Sequence, residues 1–538
     1  MGAVTNKNKS ISFVPRVSIK RCVGSRAWTL FFGILFVVVF IIPFLRFLSL
    51  AFSGFETEQL GIAYWKLLSS TFAKTAIQAG FSSALSLFFG TLLAFVMFVN
   101  QKKFFHWIEQ AYESLGMLAF SLPGATVALF VMFIARKIPF FPSSGWLAVI
   151  AAHVFMNFLA FAVSLLQKLK AWSAGGGFEQ MEAAATLGAS PLAIFRTVIF
   201  PVIAQEWKYW GAIIFLFSAT AFSTVLILGG GPALSTPEVL LFYSLQSDSS
   251  QTRLMVTALV QFLFSFALTH YVLKVSDERQ TQGHALPKDI LVLGKRYSVV
   301  SYFAVIVALL PILALFIWPT LSLFGGGRGL RVSDELWEAA LISILLSLAT
   351  GLCAWLGYLA MLRAQAIVRS LWSRFLGLSP TFCLVLWMAV GVDRWAGHSR
   401  GLQFVLLVAG LTMSYLPLVA WWIESRLRSV PEESFEAAVT LGCADSKMGH
   451  EFLRPMFSGL ESRIFIGASL LSLGEIALAS FLGSDLILLS TSGRRLAERY
   501  DFSGASWVLV VMSVFTLCLV MLRRHEKPDT KIKMVAMD

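Results

Sequence analysis

Apolar runs of about twenty residues recur from one end of this chain to the other. Wound as a helix, such a run crosses roughly 30 Å of hydrocarbon and satisfies its own backbone hydrogen bonds, which lipid cannot do for it. Twelve runs are counted, near residues 28–50, 75–99, 113–135, 146–168, 208–229, 253–274, 299–324, 336–361, 371–391, 402–423, 462–483 and 505–522. Only 14% of residues are charged and 57% are hydrophobic, against roughly 25% charged in soluble domains. The expected fold class is an all-α polytopic membrane protein embedded in a lipid bilayer.

A charged linker, residues 275–297, separates the sixth run from the seventh. It leaves six spans in residues 28–274 and six in residues 298–523, flanked by an N-terminal segment, 1–27, and a tail, 524–538. An even number of spans per half gives both halves one orientation, so the halves form a parallel repeat. Charge sets the direction. The N-terminal segment carries Lys7, Lys9, Arg16, Lys20, Arg21 and Arg26 without an acid, and Lys102, Lys103, Lys168, Lys170, Arg363, Arg369, Arg374, Arg523 and Arg524 fall on its side. Basic residues concentrate on the cytoplasmic side, so both termini and the linker are expected there. Arg136-Lys137 and Arg494-Arg495 run against the rule. The first run is too long for a signal-peptide core and has no small-residue cleavage site, so it is expected to stay as a span.

The net charge of +13 does not imply nucleic acid, because the Lys and Arg residues lie in short loops beside apolar runs rather than in a soluble basic domain. Cys22, Cys353, Cys383, Cys443 and Cys518 are odd in number and scattered. They form neither a disulfide framework nor a zinc pattern, and no metal site is expected. Seven scattered His and no carboxylate cluster at ligand spacing leave no catalytic residues to name.

Two polar islands carry the same punctuation. Glu182-Ala183-Ala184 is followed by Gly188 and Pro201, and Glu436-Ala437-Ala438 by Gly442 and Pro455, with an offset of 254 residues throughout. Within loop 170–205, residues 178–187 read as a short helix that Gly188 can end in the left-handed conformation. Ser190 then offers a cap, and Pro191 a first residue, for a second short helix over residues 191–199. Loop 425–460 repeats this with a helix over 433–441, Gly442, a cap from Asp445, and Pro455. Each elbow would project a compact knob into the cytoplasm, with small Ala side chains that allow close approach. An elbow packing only on its own bundle is the blander account; two copies with matched Gly and Pro spacing weigh against it.

This spacing resembles the cytoplasmic loop of binding-protein-dependent ABC importer permeases. The second copy departs from it with Arg454 where the first has the apolar Phe200, and the first has Gly175-Gly176-Gly177 where the second has Val430-Pro431. The resemblance covers nearly the whole chain as a fused permease of the type I importer kind. It implies that each loop couples to one subunit of a separate ATPase dimer, that a periplasmic binding protein delivers a small solute, and that the chain lies in the inner membrane. The chain has no G-x-x-x-x-G-K-[ST] loop; Gly325-Gly326-Gly327-Arg328 and Gly229-Gly230-Gly231-Pro232 lack the phosphate-holding Lys. ATP and Mg²⁺ are therefore expected on the partner, with no cofactor on this chain. Residues 152–157 and 222–232, with Ser472-Leu473-Gly474-Glu475, resemble the fused thiamine permeases and, next, the fused iron(III) permeases.

Inside the spans, Glu475 is the sharpest polar residue, because an intramembrane carboxylate faces a path or a polar partner. It is a candidate path residue or an interhelical hydrogen-bonding group. His153 and Asn157, four apart on one helix face, offer a polar lining or a link between helices. Lys74 is expected to snorkel to the interface. Pro123 and Pro380 are expected to kink spans three and nine. A secondary, ion-coupled transporter also fits six spans plus six, but it gives the paired loops no task.

Overall fold

A computed structural model describes residues 25–53, 56–99, 122–138, 141–229, 231, 234–247, 250–280, 310, 317, 333–392, 394, 399–428, 430–444, 447–457, 459–499 and 501–524. Every regular element among them is helical. Among the described residues seven helices are long and apolar enough to cross a membrane: Arg26–Leu50, Ile62–Phe98, Trp146–Thr186, Gln251–Ser276, Asp334–Met361, Arg400–Arg428 and Ser503–Met521. The seventh expected span, 299–324, apart from residues 310 and 317, and the start of the third lie outside the described residues, as do residues 1–24, most of the linker and the tail beyond Arg524.

The first half contains α1 (Arg26–Leu50), α2 (Ile62–Val99), α3 (Gly124–Lys137), α4 (Trp146–Trp172), α5 (Phe178–Thr186), α6 (Phe200–Ala219), α7 (Ser223–Leu228), α8 (Pro237–Gln246) and α9 (Gln251–Gln280). The second contains α10 (Asp334–Met361), α11 (Ala366–Ser373), α12 (Pro380–Ala389), α13 (Arg400–Arg428), α14 (Glu432–Thr440), α15 (Leu460–Leu473), α16 (Ala477–Leu482), α17 (Leu489–Glu498) and α18 (Phe502–Arg524). Helix α9 runs past the expected span into the linker, and α2 begins well before residue 75, so Lys74 stands inside a helix rather than at its start.

Span five is not continuous. It is α6 and α7 with an interruption at residues 220–222, and span eleven is α15 and α16 interrupted at 474–476. The interruptions are separated by 254 residues, the offset of the two polar loops. Pro123 and Pro380 also differ from expectation. Pro380 is the first residue of α12, after the turn that follows α11, and Pro123 immediately precedes α3. A proline has no N–H to give, and the first helical turn asks for none, so these prolines start helices rather than kink them.

The halves interlock. Phe32, Phe36 and Phe40 of α1 surround Trp372 of α11, whose indole N–H donates to the Phe32 carbonyl at 3.2 Å. Trp387 of α12 donates likewise to Val39 at 3.3 Å. Helix α18 packs on α3, with Trp507, Val508 and Met512 in one core with Ala125, Leu129 and Phe155. Each half thus buries the apolar side chains of an outlying helix of the other, which opposes their separation by the hydrophobic effect.

Candidate functional site

The two elbows have one geometry. Helix α5 ends as the N–H of Gly188 donates to the Ala185 carbonyl at 2.9 Å and that of Ala189 to Ala184 at 3.0 Å. Helix α14 ends with Gly442 on Val439 at 3.0 Å and Cys443 on Ala438 at 3.0 Å. This pair of bonds satisfies the last helical carbonyls and requires a left-handed residue. Gly188 and Gly442 supply it, with φ of 83° and 85°. Thr186 and Thr440 hydrogen-bond back to the carbonyls of Glu182 and Glu436 at 2.8 and 2.7 Å. Ser190 caps the following turn, Pro191–Ile194, by accepting from the Ala193 N–H at 3.3 Å; Asp445 lies outside the described residues.

Glu182, Ala183, Gly188 and Pro201 are exposed, as are Glu436, Ala437, Gly442 and Pro455, while Ala184 is half-buried and Ala438 buried. Each elbow also presents a leucine just before its glycine. Leu187 is 88% exposed and Leu441 87%. Sequence reasoning missed this pair, although a Leu-Gly step stands at the same place in both copies.

The lead-ins differ for a visible reason. Gly176, at φ 90°, turns the corner from α4 into α5, and a Cβ on Gly177 would strike the Trp172 ring. In the second copy Pro431 precedes α14 directly. The anchors differ too. Phe200 meets Trp207 edge to face at 6.3 Å, and Trp207 donates to Thr91 at 2.8 Å. At the corresponding positions, Arg454 donates to Glu461 at 2.6 and 3.2 Å, and Glu461 also accepts from Trp355 at 3.0 Å.

From each elbow a helix leads towards an interruption, and the two interruptions lie against each other. Ser223 donates to the Gly474 carbonyl at 2.9 Å across the seam between halves. A Cβ on Gly474 would lie 2.4 Å from Pro123, so only glycine permits this approach. Glu475 sits in the second interruption, half-buried. Its carboxylate accepts from the N–H groups of Ala477 at 2.8 Å and Leu478 at 3.4 Å, which otherwise have no partner at the start of α16. The first half has Ala221 at this place.

His153 and Asn157 do not join Glu475 in any contact. His153 Nδ1 bonds Gln78 of α2 at 2.6 Å, and Asn157 donates to the His153 carbonyl at 2.6 Å. Both are buried, and their contacts link α4 to α2 and to α4 itself. Beside Gln78 a cavity of about 20 Å³, room for roughly one water, is lined by Lys74, Thr75, Gly145, Ser235 and Thr236. The sequence did not single out Glu238, which is fully buried in α8 and accepts from Gln261 and from Ser379 of the other half. Among the described residues no group of three His, Cys, Asp or Glu could hold a metal, and Cys353, Cys383, Cys443 and Cys518 form no disulfide.

No family model and no solved structure matches the chain. Curated proteins do. The chain is 26% identical over 415 residues to the thiamine transport system permease protein of Salmonella typhimurium, covering 72% of this chain and 75% of that protein. It is 29% identical over 258 residues to that of Haemophilus influenzae and 30% over 219 residues to that of Escherichia coli, spans of 45% and 39% of those proteins. With its helical membrane fold and its duplicated loops, the chain resembles the fused permease proteins of thiamine transport systems.

Proposed function

We propose that this chain is the transmembrane permease of an ATP-driven importer, and that it forms the path for thiamine or a related cationic nutrient. The solute arrives from a periplasmic binding protein, and each elbow seats in one subunit of a separate ATPase dimer. The chain then lies in the inner membrane with both termini and both elbows on the cytoplasmic side. It carries no hydrolytic chemistry of its own.

The observation that supports this reading best is the register of elbow and interruption. Both repeat at 254 residues, so each knob stands at the same distance along the chain from a break at the seam. In the first half, the twenty residues of α6 make a strut of about 30 Å. Closing an ATPase dimer on Leu187 and Leu441 would move two struts together and shift the breaks where Ser223 holds Gly474. A helix transmits such a push because its backbone bonds resist compression, whereas the breaks carry fewer of them.

The test is uptake of labelled thiamine by vesicles holding the chain, its ATPase and its binding protein. ATP inside the vesicles is expected to drive accumulation, and neither protein partner should be dispensable. Accumulation driven by an ion gradient without the ATPase would instead identify a secondary transporter.

A further inference from the structure

Helices α8 and α17 occupy the same place in the two halves. Each follows the short helix beyond the interruption and precedes the last span of its half. Phe242 is the sixth residue of α8 and Arg494 the sixth of α17. The two face each other, with the Arg494 guanidinium carbon 5.4 Å from the centre of the Phe242 ring. By the 254-residue offset of the loops and interruptions Arg494 pairs with Leu240, about half a helical turn from Phe242, so this contact between the halves lies close to the axis relating them. A path between two such halves runs along that axis.

The surroundings make the contact a closure. Phe242 is fully buried, with Phe222 of the first interruption 5.1 Å away and Phe481 of α16 at 5.6 Å, edge to face. Two of the four side chains belong to each half. Arg494 is held over the ring by Glu498, at 2.7 Å on the next turn of α17. Phe222 stands in the first interruption and the other three follow the interruptions, all at the far end of α6 from the elbows.

The guanidinium occupies the face of an aromatic ring, the position another cation would take. Arginine stacks on rings because it is planar and weakly hydrated. A flat organic cation competes for that face on the same terms. A hydrated alkali ion does not, because it holds its water too tightly.

We propose that Phe242 and Arg494 form a cation–π latch that seals the path on its axis, and that a cationic aromatic solute passes by taking the place of the Arg494 guanidinium on the Phe242 ring. Phe222 and Phe481 complete the aromatic wall. The choice of solute rests on the permease reading above; the seal does not. This also accounts for Arg494, which runs against the charge rule for the spans: its role is at the axis rather than in topology.

The experiment uses the complete complex of chain, ATPase and binding protein in vesicles, and reads two quantities. One is ATP-driven thiamine uptake. The other is leak of preloaded choline without ATP. Arg494→Gln and Phe242→Leu are each expected to raise the leak at least about tenfold. Phe242→Tyr, which keeps the ring face, and Arg494→Lys, which keeps the cation, are expected to hold most of the seal and show that the fold survives change at these positions. Wild-type leak in both Arg494→Gln and Phe242→Leu would overturn the latch. If the wild-type complex imports no thiamine yet the two variants leak, the latch stands and the permease's solute assignment falls.

Discussion

Arg454 grips Glu461 through two hydrogen bonds at the two positions where the first half holds Phe200 against Trp207. The aromatic contact lies within the first turns of strut α6, whereas the ion pair ties the segment after the second elbow to the head of α15. The replacement keeps a contact between these two positions and changes its physics, from an edge-to-face aromatic pair to a bidentate ion pair. Arg454 therefore fills the anchoring place of the apolar residue expected there.

The two joins should respond differently to solution conditions. Arg454 and Glu461 form an ion pair. Both partners are partly exposed, at 36% and 23%, so salt screens the pair, which is worth at most about 1 kcal/mol. The protection factors for amide exchange in residues 448–456 are expected to fall at high salt, while those of residues 194–207 stay unchanged. Arg454→Ala, Glu461→Ala and the double variant should have similar effects. Additive losses would show that the two residues act independently.

Gly188 and Gly442 test the elbows. Nothing lies within 4 Å of a Cβ at either position, so substitution meets a backbone penalty and no clash. A β-branched residue in the left-handed region costs roughly 1–2 kcal/mol, and Asn less. Valine at either position should reduce uptake, asparagine less so, and the two positions should differ because their anchors differ. Unchanged uptake in both valine variants would remove the coupling role.

Leu187 and Leu441 offer a cleaner separation of docking from folding. Both side chains are almost fully in solvent, so Leu→Asp costs this chain little by itself. A buried interface anchor is worth about 2 kcal/mol or more. Either change is expected to weaken ATPase binding more than tenfold in a pull-down from detergent, with normal yield of the permease.

The elbows were legible because their signals are local: a helix former run, Gly at the left-handed position, Ser190 and Pro191 at a start. The interruptions were not, since Ala221-Phe222 and Gly474-Glu475 stand inside apolar runs whose hydropathy reads straight through them. Pro380 was visible but misassigned, because a proline inside an apolar run looks like a kink until the turn before it is seen. The packing of α1 on Trp372 and of Arg494 on Phe242 depends on helix rotation and on contacts between distant segments, neither of which periodicity in a uniformly apolar helix reports.

Glu475 now has a defined structural task, accepting the first N–H groups of α16. Loss of such a cap costs about 1 kcal/mol. Glu475→Ala is expected to lower thermal stability, whereas Glu475→Gln keeps a carbonyl oxygen and should transport at close to the wild-type rate. A large loss in the Gln variant with unchanged stability would show that the charge itself serves the solute.

Gly474 is a point of close approach between the halves, with no room for a methyl group against Pro123. Relieving a contact of 2.4 Å requires backbone movement on one side of the seam, at about 1–3 kcal/mol for overpacking. The Ser223 hydroxyl bond to the Gly474 carbonyl would be strained by the same movement. Gly474→Ala should therefore favour states in which the interruptions part, raising basal ATPase turnover in the reconstituted complex while lowering thiamine carried per ATP. Ser223→Ala should act in the same direction more weakly, because it removes one bond and leaves the approach intact. Wild-type coupling in both variants would mean that the seam stays fixed while the chain works.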